Sequence, residues 1–465
     1  MNEKPSPKVL LIYPKAAVDY DTAHCLPLGL SYIAAVLEKK GITTHITDLN
    51  VEKDTLMKKL NKIDIVGIFT LTPNIHNAWK LAKRIKKINK NILIVFGGPH
   101  ASSLPEESLK RDEVDLVVRG EGEKTMFELV RSWPEKKFAS IKGLSWKTNL
   151  KIIHNKARPL IKNLDALPFP AWHLFKLERY GPSRPTWIDK SKIVPGSMIT
   201  SRGCPFRCIF CFKEIHGYSY RYRSPENVIA ELKLLKKKYG VNFVEFQDDN
   251  FNFYPKRAIE ICRLMIKEKL NINWSIPNGI SRVDQVTEKF LRIARQAGCV
   301  DIWFAVESGS QRVLNKIIGK KISLQQIEKA VKLAKKVGFE VGGFVCFGNP
   351  GETKDDMQKT IEFVCRLPLD RCQFTIVTPF PGSRLFTKME KQKKLLTHNW
   401  DDYGPFEKKV YINDEVTRPE IVKEMYRLAF RQFYLRPSFV LKTMVKRSTY
   451  KNLKLIINQL WRFVR

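Results

Sequence analysis

Two long runs of alternating strand and helix patterns restrict this sequence to the α/β fold class. In the first run, from residue 8 to about 132, short apolar segments alternate with amphipathic ones. This order predicts a doubly wound parallel sheet of the Rossmann or flavodoxin type, with ligands at the carboxyl ends of its strands. The predicted strands are Val9–Tyr13, Thr43–Leu49, Ile63–Phe69, Ile92–Phe96 and Val114–Val118.

The second run predicts a partial (β/α)6 barrel, whose active site would lie at the carboxyl ends of its strands. We expect the sheet domain at residues 1–135, a Pro-rich and aromatic connector at 136–195, the barrel at 196–395 and a basic helical segment at 396–465. The predicted barrel strands are Ser197–Thr200, Val241–Gln247, Asn273–Pro277, Asp301–Glu307, Glu340–Phe347 and Arg371–Thr378.

Three of the nine cysteines lie close together, directly after the first predicted barrel strand. Cys204, Cys208 and Cys211 have the spacing C-x-x-x-C-x-x-C, while the others are scattered, unlike the paired framework of a secreted disulfide scaffold. Three thiolates on one short loop can bind three irons of a [4Fe-4S] cluster and leave the fourth iron open. Zinc is the alternative, although it usually takes four protein ligands and no second cysteine pair is present.

This spacing, with Phe210 just before the third cysteine, resembles the radical S-adenosylmethionine (SAM) superfamily. The resemblance implies that Cys204, Cys208 and Cys211 are the catalytic and metal-binding residues, and that Phe210 lies at the cofactor. The open iron would chelate the amino and carboxyl groups of SAM and pass an electron to the sulfonium, releasing methionine and a 5′-deoxyadenosyl radical. That electron would come from a donor such as flavodoxin or ferredoxin.

Segments after later barrel strands also resemble SAM-binding segments of that superfamily. Asp248 and Asp249 would accept hydrogen bonds from the SAM amino group. Glu307 and Ser308 would contact its ribose or carboxylate, and the turn at Gly348 would lie beside the adenine. Each segment alone could equally be an ordinary helix start, so the prediction depends on their shared order along the barrel.

The first run resembles the cobalamin-binding domain that precedes the barrel in one group of radical SAM enzymes. The older cobalamin motif Asp-x-His-x-x-Gly does not occur, so no histidine ligand to cobalt is implied, and His24, His76, His100 and Cys25 are candidates only. A flavodoxin-like domain without cofactor, or one for protein docking, is the alternative. The residues implied to contact cobalamin are Gly29, Thr70, Gly97, Gly98, Gly120 and Glu121.

These resemblances imply a cobalamin-dependent methyltransferase that acts on an unactivated carbon of a small-molecule or lipid-like substrate. A cyclase or oxidase of the anaerobic porphyrin-ester cyclase type is an alternative. An RNA-modifying radical SAM enzyme is another, raised by the net charge of +35. Nucleic acid is nevertheless the weaker prediction, because methylthiolating RNA enzymes carry three further N-terminal cysteines where this chain has only Cys25.

The C-terminal residues combine apolar positions at helical spacing with many cations. From Val416 onward there are 12 Lys and Arg against 2 Asp and Glu. Such a helix either packs on the barrel or attaches to an anionic membrane surface, which would favour a lipid or isoprenoid substrate. No export signal and no apolar stretch of about 20 residues occurs, so we expect a cytoplasmic protein, with peripheral membrane attachment as an option.

Overall fold

The computed structural model describes residues 7–15, 26–52, 60–149, 151–181, 192–404, 410–412, 418–437 and 439–440. The predictions for His24, Cys25 and the cationic residues beyond 440 lie outside the described residues. Among the described helices, none combines the length and the apolar character that crossing a bilayer requires.

The N-terminal part contains a seven-stranded sheet in the order β2-β1-β3-β4-β5-β6-β7. The first five strands are mutually parallel, which confirms the predicted doubly wound fold, and each lies within two residues of its predicted bounds. The last two strands are antiparallel and come from residues that were expected to form a connector. The strands are β1 (Val9–Tyr13), β2 (Thr44–Asp48), β3 (Ile65–Phe69), β4 (Leu93–Gly97), β5 (Leu116–Val118), β6 (Leu144–Lys147) and β7 (Ile152–His154).

Helices cover both faces of this sheet, because its central strands are apolar on both sides. In β1, Leu10 and Ile12 belong to one core, and Val9 and Leu11 belong to the other. The helices are α1 (Leu28–Glu38), α2 (Ile75–Ile88), α3 (Pro99–Ser103), α4 (Pro105–Leu109) and α5 (Gly122–Ser132).

Six parallel strands then form the predicted partial barrel as two three-stranded sheets. Single bridges from Trp274 to Cys299 and from Ile280 to Phe304 join the two sheets. The barrel strands are β8 (Pro195–Met198), β11 (Phe243–Phe246), β12 (Asn273–Ser275), β13 (Asp301–Glu307), β14 (Glu340–Phe347) and β15 (Arg371–Ile376), while β9 (Ser201–Arg202) and β10 (Arg221–Tyr222) form a separate hairpin.

Most barrel helices begin at a Ser or Thr whose side chain accepts a hydrogen bond from a backbone N–H of the first turn. These N-caps are Ser224, Thr287, Ser323, Thr353 and Ser383. The helices are α6 (Pro225–Tyr239), α7 (Pro255–Lys267), α8 (Glu288–Gln296), α9 (Leu324–Lys336), α10 (Lys354–Arg366) and α11 (Arg384–Lys391), with a π-helical segment at Val313–Ile318.

A last helix, α12 (Pro419–Tyr434), packs against α10 and β15. The Tyr434 hydroxyl donates to the Cys372 carbonyl (2.6 Å) and accepts from the Cys372 backbone N–H (3.1 Å). The Arg436 guanidinium donates to the Leu369 carbonyl (2.6 Å). These contacts satisfy both backbone groups of Cys372 in β15 and one carbonyl just before the strand.

Candidate active site

The three cysteines lie on the loop between β9 and β10, directly after the first barrel strand. The two short strands pair antiparallel, with Arg202 opposite Arg221. Cys204 and Cys208 are buried and Cys211 is partly buried. The Cys211 backbone N–H donates to the Cys208 carbonyl (3.1 Å), which folds the second half of the motif into a turn.

Asp248 fixes the start of this hairpin. Its carboxylate accepts hydrogen bonds from the Thr200 backbone N–H (2.6 Å), the Thr200 hydroxyl (2.5 Å) and the Ser201 hydroxyl (2.6 Å), and the residue is fully buried. In this structure the Asp248 carboxylate therefore holds the start of the hairpin, and its contact with the SAM amino group stays a prediction. Asp249 accepts from the Gly203 N–H (2.9 Å) and keeps an exposed side chain.

Gly203 packs tightly against Ser219 and His216, on the other arm of the cysteine loop. Its φ is +84°, and a Cβ there would lie 2.3 Å from the Ser219 carbonyl oxygen. We expect Gly203→Ala to lower the free energy of unfolding by roughly 2–4 kcal/mol and to reduce the iron bound after reconstitution. Urea unfolding and iron analysis measure the two effects.

Gly240→Ala is the matched control. Gly240 also has a positive φ, +67°, but a Cβ there would have no neighbour within 4 Å. We expect this variant to lose only about 1 kcal/mol and to bind iron normally. Equal losses in both variants would show that backbone strain alone, and not the close approach, sets the requirement for Gly203.

The two residues at the end of β13 that are predicted to contact SAM differ in the exposure of their side chains. The Ser308 hydroxyl contacts the Thr360 hydroxyl (3.0 Å) and accepts from the Ser310 N–H (3.1 Å), and Ser308 is fully buried. Ser308 thus joins β13 to α10, and its contact with SAM stays a prediction. Glu307 remains partly exposed and pairs with Lys320 (3.0 Å).

Gly348 directly follows β14 and Phe210 lies in the cysteine loop, and their contacts with SAM stay predictions. Gly348 has a φ of +80° at the end of β14, and its carbonyl accepts a hydrogen bond from the Tyr411 hydroxyl. Phe210 is partly buried against the barrel core.

Glu352, in the turn that begins at Gly348, gives a prediction of pH dependence. It is fully buried and accepts from the Asn349 backbone N–H (2.8 Å) and side-chain amide (3.1 Å), and burial raises its pKa from 4.5 to about 7. Between pH 4.5 and about 7 the Glu352 carboxyl is therefore mostly protonated in the native state and mostly ionised in the unfolded chain. The Glu352 contribution to stability is fully present below pH 4.5 and is lost as the pH rises through about 7.

We expect Glu352→Gln to remove this part of the pH dependence. The wild type should lose roughly 3 kcal/mol of unfolding free energy across that interval through this residue, and the variant should not. Urea unfolding at pH values on either side of the interval compares them, with the exposed Glu362→Gln as control. An unchanged slope in Glu352→Gln would contradict the assignment.

A cavity of about 320 Å³ lies between the strand ends of the first sheet and the cysteine hairpin. The sheet side consists mainly of apolar side chains and glycine backbone, and a Cβ at Gly29 would meet nothing within 4 Å. Such an open, glycine-rich floor suits a broad flat ring, so these residues fit cobalamin. The glycines predicted to contact it, Gly29, Gly97, Gly98 and Gly120, all line this cavity.

Thr70 is not among the residues that line the cavity, and its contact with cobalamin stays a prediction. Its hydroxyl donates to the Gly97 carbonyl (2.9 Å) and accepts from the Ala101 N–H (3.1 Å), so it anchors α3 to the sheet. His100 is also buried elsewhere, between Glu107 (2.9 Å) and Thr72 (3.2 Å).

His76 pairs with Asp401 (2.9 Å) outside the cavity wall, so neither His76 nor His100 remains a candidate to approach cobalt. Polar side chains of the barrel line the cavity instead: Arg202, Lys213, His216 and Asp249. Sequence reasoning missed His216, because nothing in its local pattern distinguishes it from a surface histidine.

A buried ion cluster joins the two domains beside this cavity. Glu121 accepts from Arg202 (3.0 Å) and Arg221 (2.9 Å), and Glu123 accepts from Arg202 (2.6 Å). Burial tends to raise the pKa of Glu121, but the Arg202 charge and the hydrogen bonds from Ile161 and Arg221 outweigh it and lower the pKa. Glu121 therefore lines the predicted cobalamin site while its carboxylate holds the cysteine hairpin.

No three His, Cys, Asp or Glu side chains in the described part of the chain are arranged to hold a single metal ion. An iron–sulfur cluster does not require three side chains around one ion, because each thiolate binds a different iron.

Two family models match the chain. The model of the "Radical SAM superfamily" matches residues 198–364, and that of the "B12 binding domain" matches residues 15–130. The first therefore covers the cysteine loop and most of the barrel strands, and the second covers the glycine-rich strand ends.

Curated relatives match over most of their length. "Uncharacterized methyltransferase PH0819" of Pyrococcus horikoshii is 38% identical, with 90% of this chain and 89% of the relative covered. A cytidylyl-2-hydroxyethylphosphonate methyltransferase of Streptomyces wedmorensis is 29% identical, with 83% and 82% covered. An anaerobic magnesium-protoporphyrin IX monomethyl ester cyclase of Rubrivivax gelatinosus is 27% identical, with 89% and 74% covered.

A solved structure shows the same fold. The radical SAM methyltransferase TsrM of Kitasatospora setae, solved with tryptophan substrate and a SAM analogue, superposes with a TM-score of 0.72 at 18% identity. The match covers 93% of this chain and 90% of TsrM.

Proposed function

Because this chain belongs to the cobalamin-binding radical SAM enzymes, we propose that it methylates an unactivated carbon of a small molecule. The observation that carries the proposal is the cavity whose floor is the glycine-rich sheet edge and whose opposite wall is the cysteine hairpin. When bound, the cluster and SAM supply a radical that removes a hydrogen atom from the substrate, and cobalamin supplies the methyl group. Residues on opposite sides of one cavity can present the two cofactors to one substrate.

We assign roles to the residues of this chain accordingly. Cys204, Cys208 and Cys211 would bind three irons of the cluster. Phe210, Asp249, Glu307 and Gly348 would contact SAM, and Gly29, Gly97, Gly98 and Gly120 would line the corrin. The limits at about 195 and 395 follow the same assignment, whereas the first domain extends past the predicted limit at 135, because its sheet includes β6 and β7.

The named relatives support a small-molecule substrate, because one acts on a cytidylyl phosphonate and another on a porphyrin ester. A lipid or isoprenoid substrate, an anionic membrane surface and a cytoplasmic location remain proposals that rest on composition. An electron donor such as flavodoxin or ferredoxin is required by the chemistry and is proposed with it.

A cyclase or oxidase is the second candidate, because the porphyrin-ester cyclase matches 89% of this chain, against 90% and 83% for the two methyltransferases. The two reactions differ in product mass, since only methyl transfer adds carbon from SAM to the substrate.

Anaerobic reconstitution with iron, sulfide and hydroxocobalamin tests the proposal. The expected result is a protein that retains both groups, cleaves SAM to 5′-deoxyadenosine, and transfers a deuterated methyl group from labelled SAM to a metabolite in a small-molecule extract. A protein that retains no cobalamin contradicts the methyltransferase proposal, and an unlabelled, dehydrogenated or cyclised product supports the second candidate.

A further inference from the structure

One side of the cysteine loop faces the cavity, and another side reaches solvent. Lys213, two residues after the motif, lines the cavity between the two domains. Pro205 and Arg207, between the first two cysteines, are exposed instead. An electron that reaches the cluster from outside without crossing the cavity would therefore enter over this exposed part of the motif.

Helix α11 begins against the exposed part of the motif and carries a row of cations. The Arg207 carbonyl accepts a hydrogen bond from the Arg384 guanidinium (3.1 Å). The exposed residues Arg384, Lys388 and Lys391 follow one another at spacings of four and three, which puts them on one face of the helix. The cationic face of α11 thus starts beside the cysteine loop.

The π-helical segment Val313–Ile318 also contacts the motif and adds further cations. The Ile209 N–H, between the second and third cysteines, donates to the Ile318 carbonyl (3.1 Å). Lys316 and Lys321 lie within three residues of Ile318, and both are exposed. The exposed cations next to the loop, here called the basic patch, are Arg207, Lys316, Lys321, Arg384, Lys388 and Lys391.

The charge of the basic patch is not balanced by neighbouring acids. On α9 and α10, lysines pair with acids one turn away, as Lys332 does with Glu328 (2.7 Å). In the part of the chain that the structure describes, no carboxylate forms an ion pair with a member of the basic patch. Glu390 is exposed next to Lys391 in sequence, but it lies about 100° around the helix from it. Such an uncompensated patch attracts an anionic partner.

An aromatic side chain lies within the basic patch. Tyr218 is 40% exposed, and the Arg207 guanidinium lies 5.1 Å from the centroid of its ring. Tyr and Arg are enriched in protein–protein interfaces and among the residues that contribute most to binding. The surface therefore combines charges that attract a partner with an aromatic residue that can pack against one.

We propose that the basic patch, together with Tyr218, is the docking surface of an acidic one-electron carrier protein. The inference rests on the proposed function, because only a cluster on the three cysteines requires an electron at this place. One electron passes from the carrier to the oxidised cluster, so the carrier is oxidised by one electron, the cluster is reduced by one, and no bond forms or breaks. Charge complementarity brings the carrier to the exposed part of the motif and leaves the cavity free for cobalamin and substrate.

The test compares two reductants of opposite charge on the reconstituted enzyme. A reduced acidic flavodoxin, freed of excess chemical reductant, and reduced methyl viologen, a small cation, each supply electrons while 5′-deoxyadenosine is measured. The variant Lys316→Glu/Lys388→Glu/Lys391→Glu leaves the contact between Arg384 and Arg207 in place. With limiting flavodoxin at low ionic strength, its rate should fall roughly 10- to 100-fold, and with methyl viologen it should not fall. Added salt should lower the wild-type rate with flavodoxin toward that of the variant.

The variant Lys237→Glu/Lys238→Glu/Lys267→Glu is the matched control, because it changes the net charge by the same amount. These three exposed lysines lie in the last turns of α6 and α7, shortly before β11 and β12 begin. They are therefore at the opposite end of the barrel strands from the cysteine loop. We expect the rates with both reductants to stay within about twofold of the wild type.

Each outcome bears on one proposal. A loss with flavodoxin alone, confined to the basic-patch variant, supports the inference. Equal flavodoxin rates in the two variants overturn it, and so does an equal loss with both reductants, which indicates damage to the cluster. A wild type that cleaves SAM with methyl viologen and not with flavodoxin also overturns it, whereas a wild type that holds a cluster and cleaves no SAM with either reductant overturns the proposed function.

Two further measurements complete the test. If the triple variant of the basic patch holds no cluster, the double variant Lys388→Glu/Lys391→Glu on α11 decides by the same comparison. Sedimentation with phosphatidylglycerol vesicles examines a membrane as the partner. A basic-patch variant that keeps its rate with flavodoxin and no longer sediments with the vesicles overturns the inference, because the patch then binds a lipid surface.

Discussion

Replacing Cys208 with alanine should abolish 5′-deoxyadenosine formation. Loss of one of the three thiolates leaves two ligands for a cluster that exposes its fourth iron, so the cluster should assemble poorly or not at all. We expect at least about a 100-fold fall in the rate of SAM cleavage and substoichiometric iron after reconstitution. Chromatography of the nucleoside product and iron analysis measure both.

Cys365→Ala is the control for this variant. Cys365 is also a free, partly buried cysteine of the barrel domain, but it lies on α10. It should keep its cluster and its rate. Full SAM cleavage by Cys208→Ala would contradict the assignment of the cysteine loop as the cluster site.

Replacing Arg202 with methionine should give the largest loss of stability among substitutions at the domain boundary. Arg202 is buried and is the donor to Glu123 among the described residues, while one Glu123 oxygen has no hydrogen-bond partner in that part of the chain. Removing the cation leaves Glu123 as a buried charge without compensation, at a cost of roughly 3–5 kcal/mol. Because Arg202 lies two residues before Cys204, we also expect weaker retention of cobalamin and iron.

A double variant separates the contribution of the ion pair to the free energy of unfolding from that of the packing of the Arg202 side chain. Glu123→Gln combined with Arg202→Met should recover roughly 2 kcal/mol relative to Arg202→Met alone, because no buried charge is left unpaired. The exposed pair Arg292–Glu288 supplies the control, since Arg292→Met should cost less than about 1 kcal/mol. Denaturant unfolding measures all of these, and an Arg202→Met loss no larger than that of Arg292→Met would contradict the role of the cluster.

The strands of both domains could be predicted from the sequence because a strand buried on both faces is a short, continuous apolar run. Three glycines of the cavity could also be predicted, since Gly97, Gly98 and Gly120 lie at or within two residues of the ends of such strands. The cluster site could be predicted most clearly, because the C-x-x-x-C-x-x-C spacing falls directly after a predicted strand.

The partners of charged and polar side chains could not be predicted in this way. Asp248 and Asp249 are adjacent in sequence, yet Asp248 accepts hydrogen bonds from the start of the hairpin and Asp249 lines the cavity. Lys320 and Lys321 look alike in a lysine-rich chain, and only the fold buries the first and exposes the second. Glu121 and Arg202 are 81 residues apart, so their contact depends on how the two domains meet.

The contacts of α12 with β15 bear on how molecules of this protein behave toward one another. β15 is the last strand of its sheet; Tyr434 bonds both backbone groups of Cys372 in this strand, and Arg436 bonds the Leu369 carbonyl just before it. A chain shortened before α12 would present an open strand edge, which is a template for pairing with other copies. We therefore expect such a truncated protein to aggregate through intermolecular β-pairing, and colloidal solubility is a property that this helix confers.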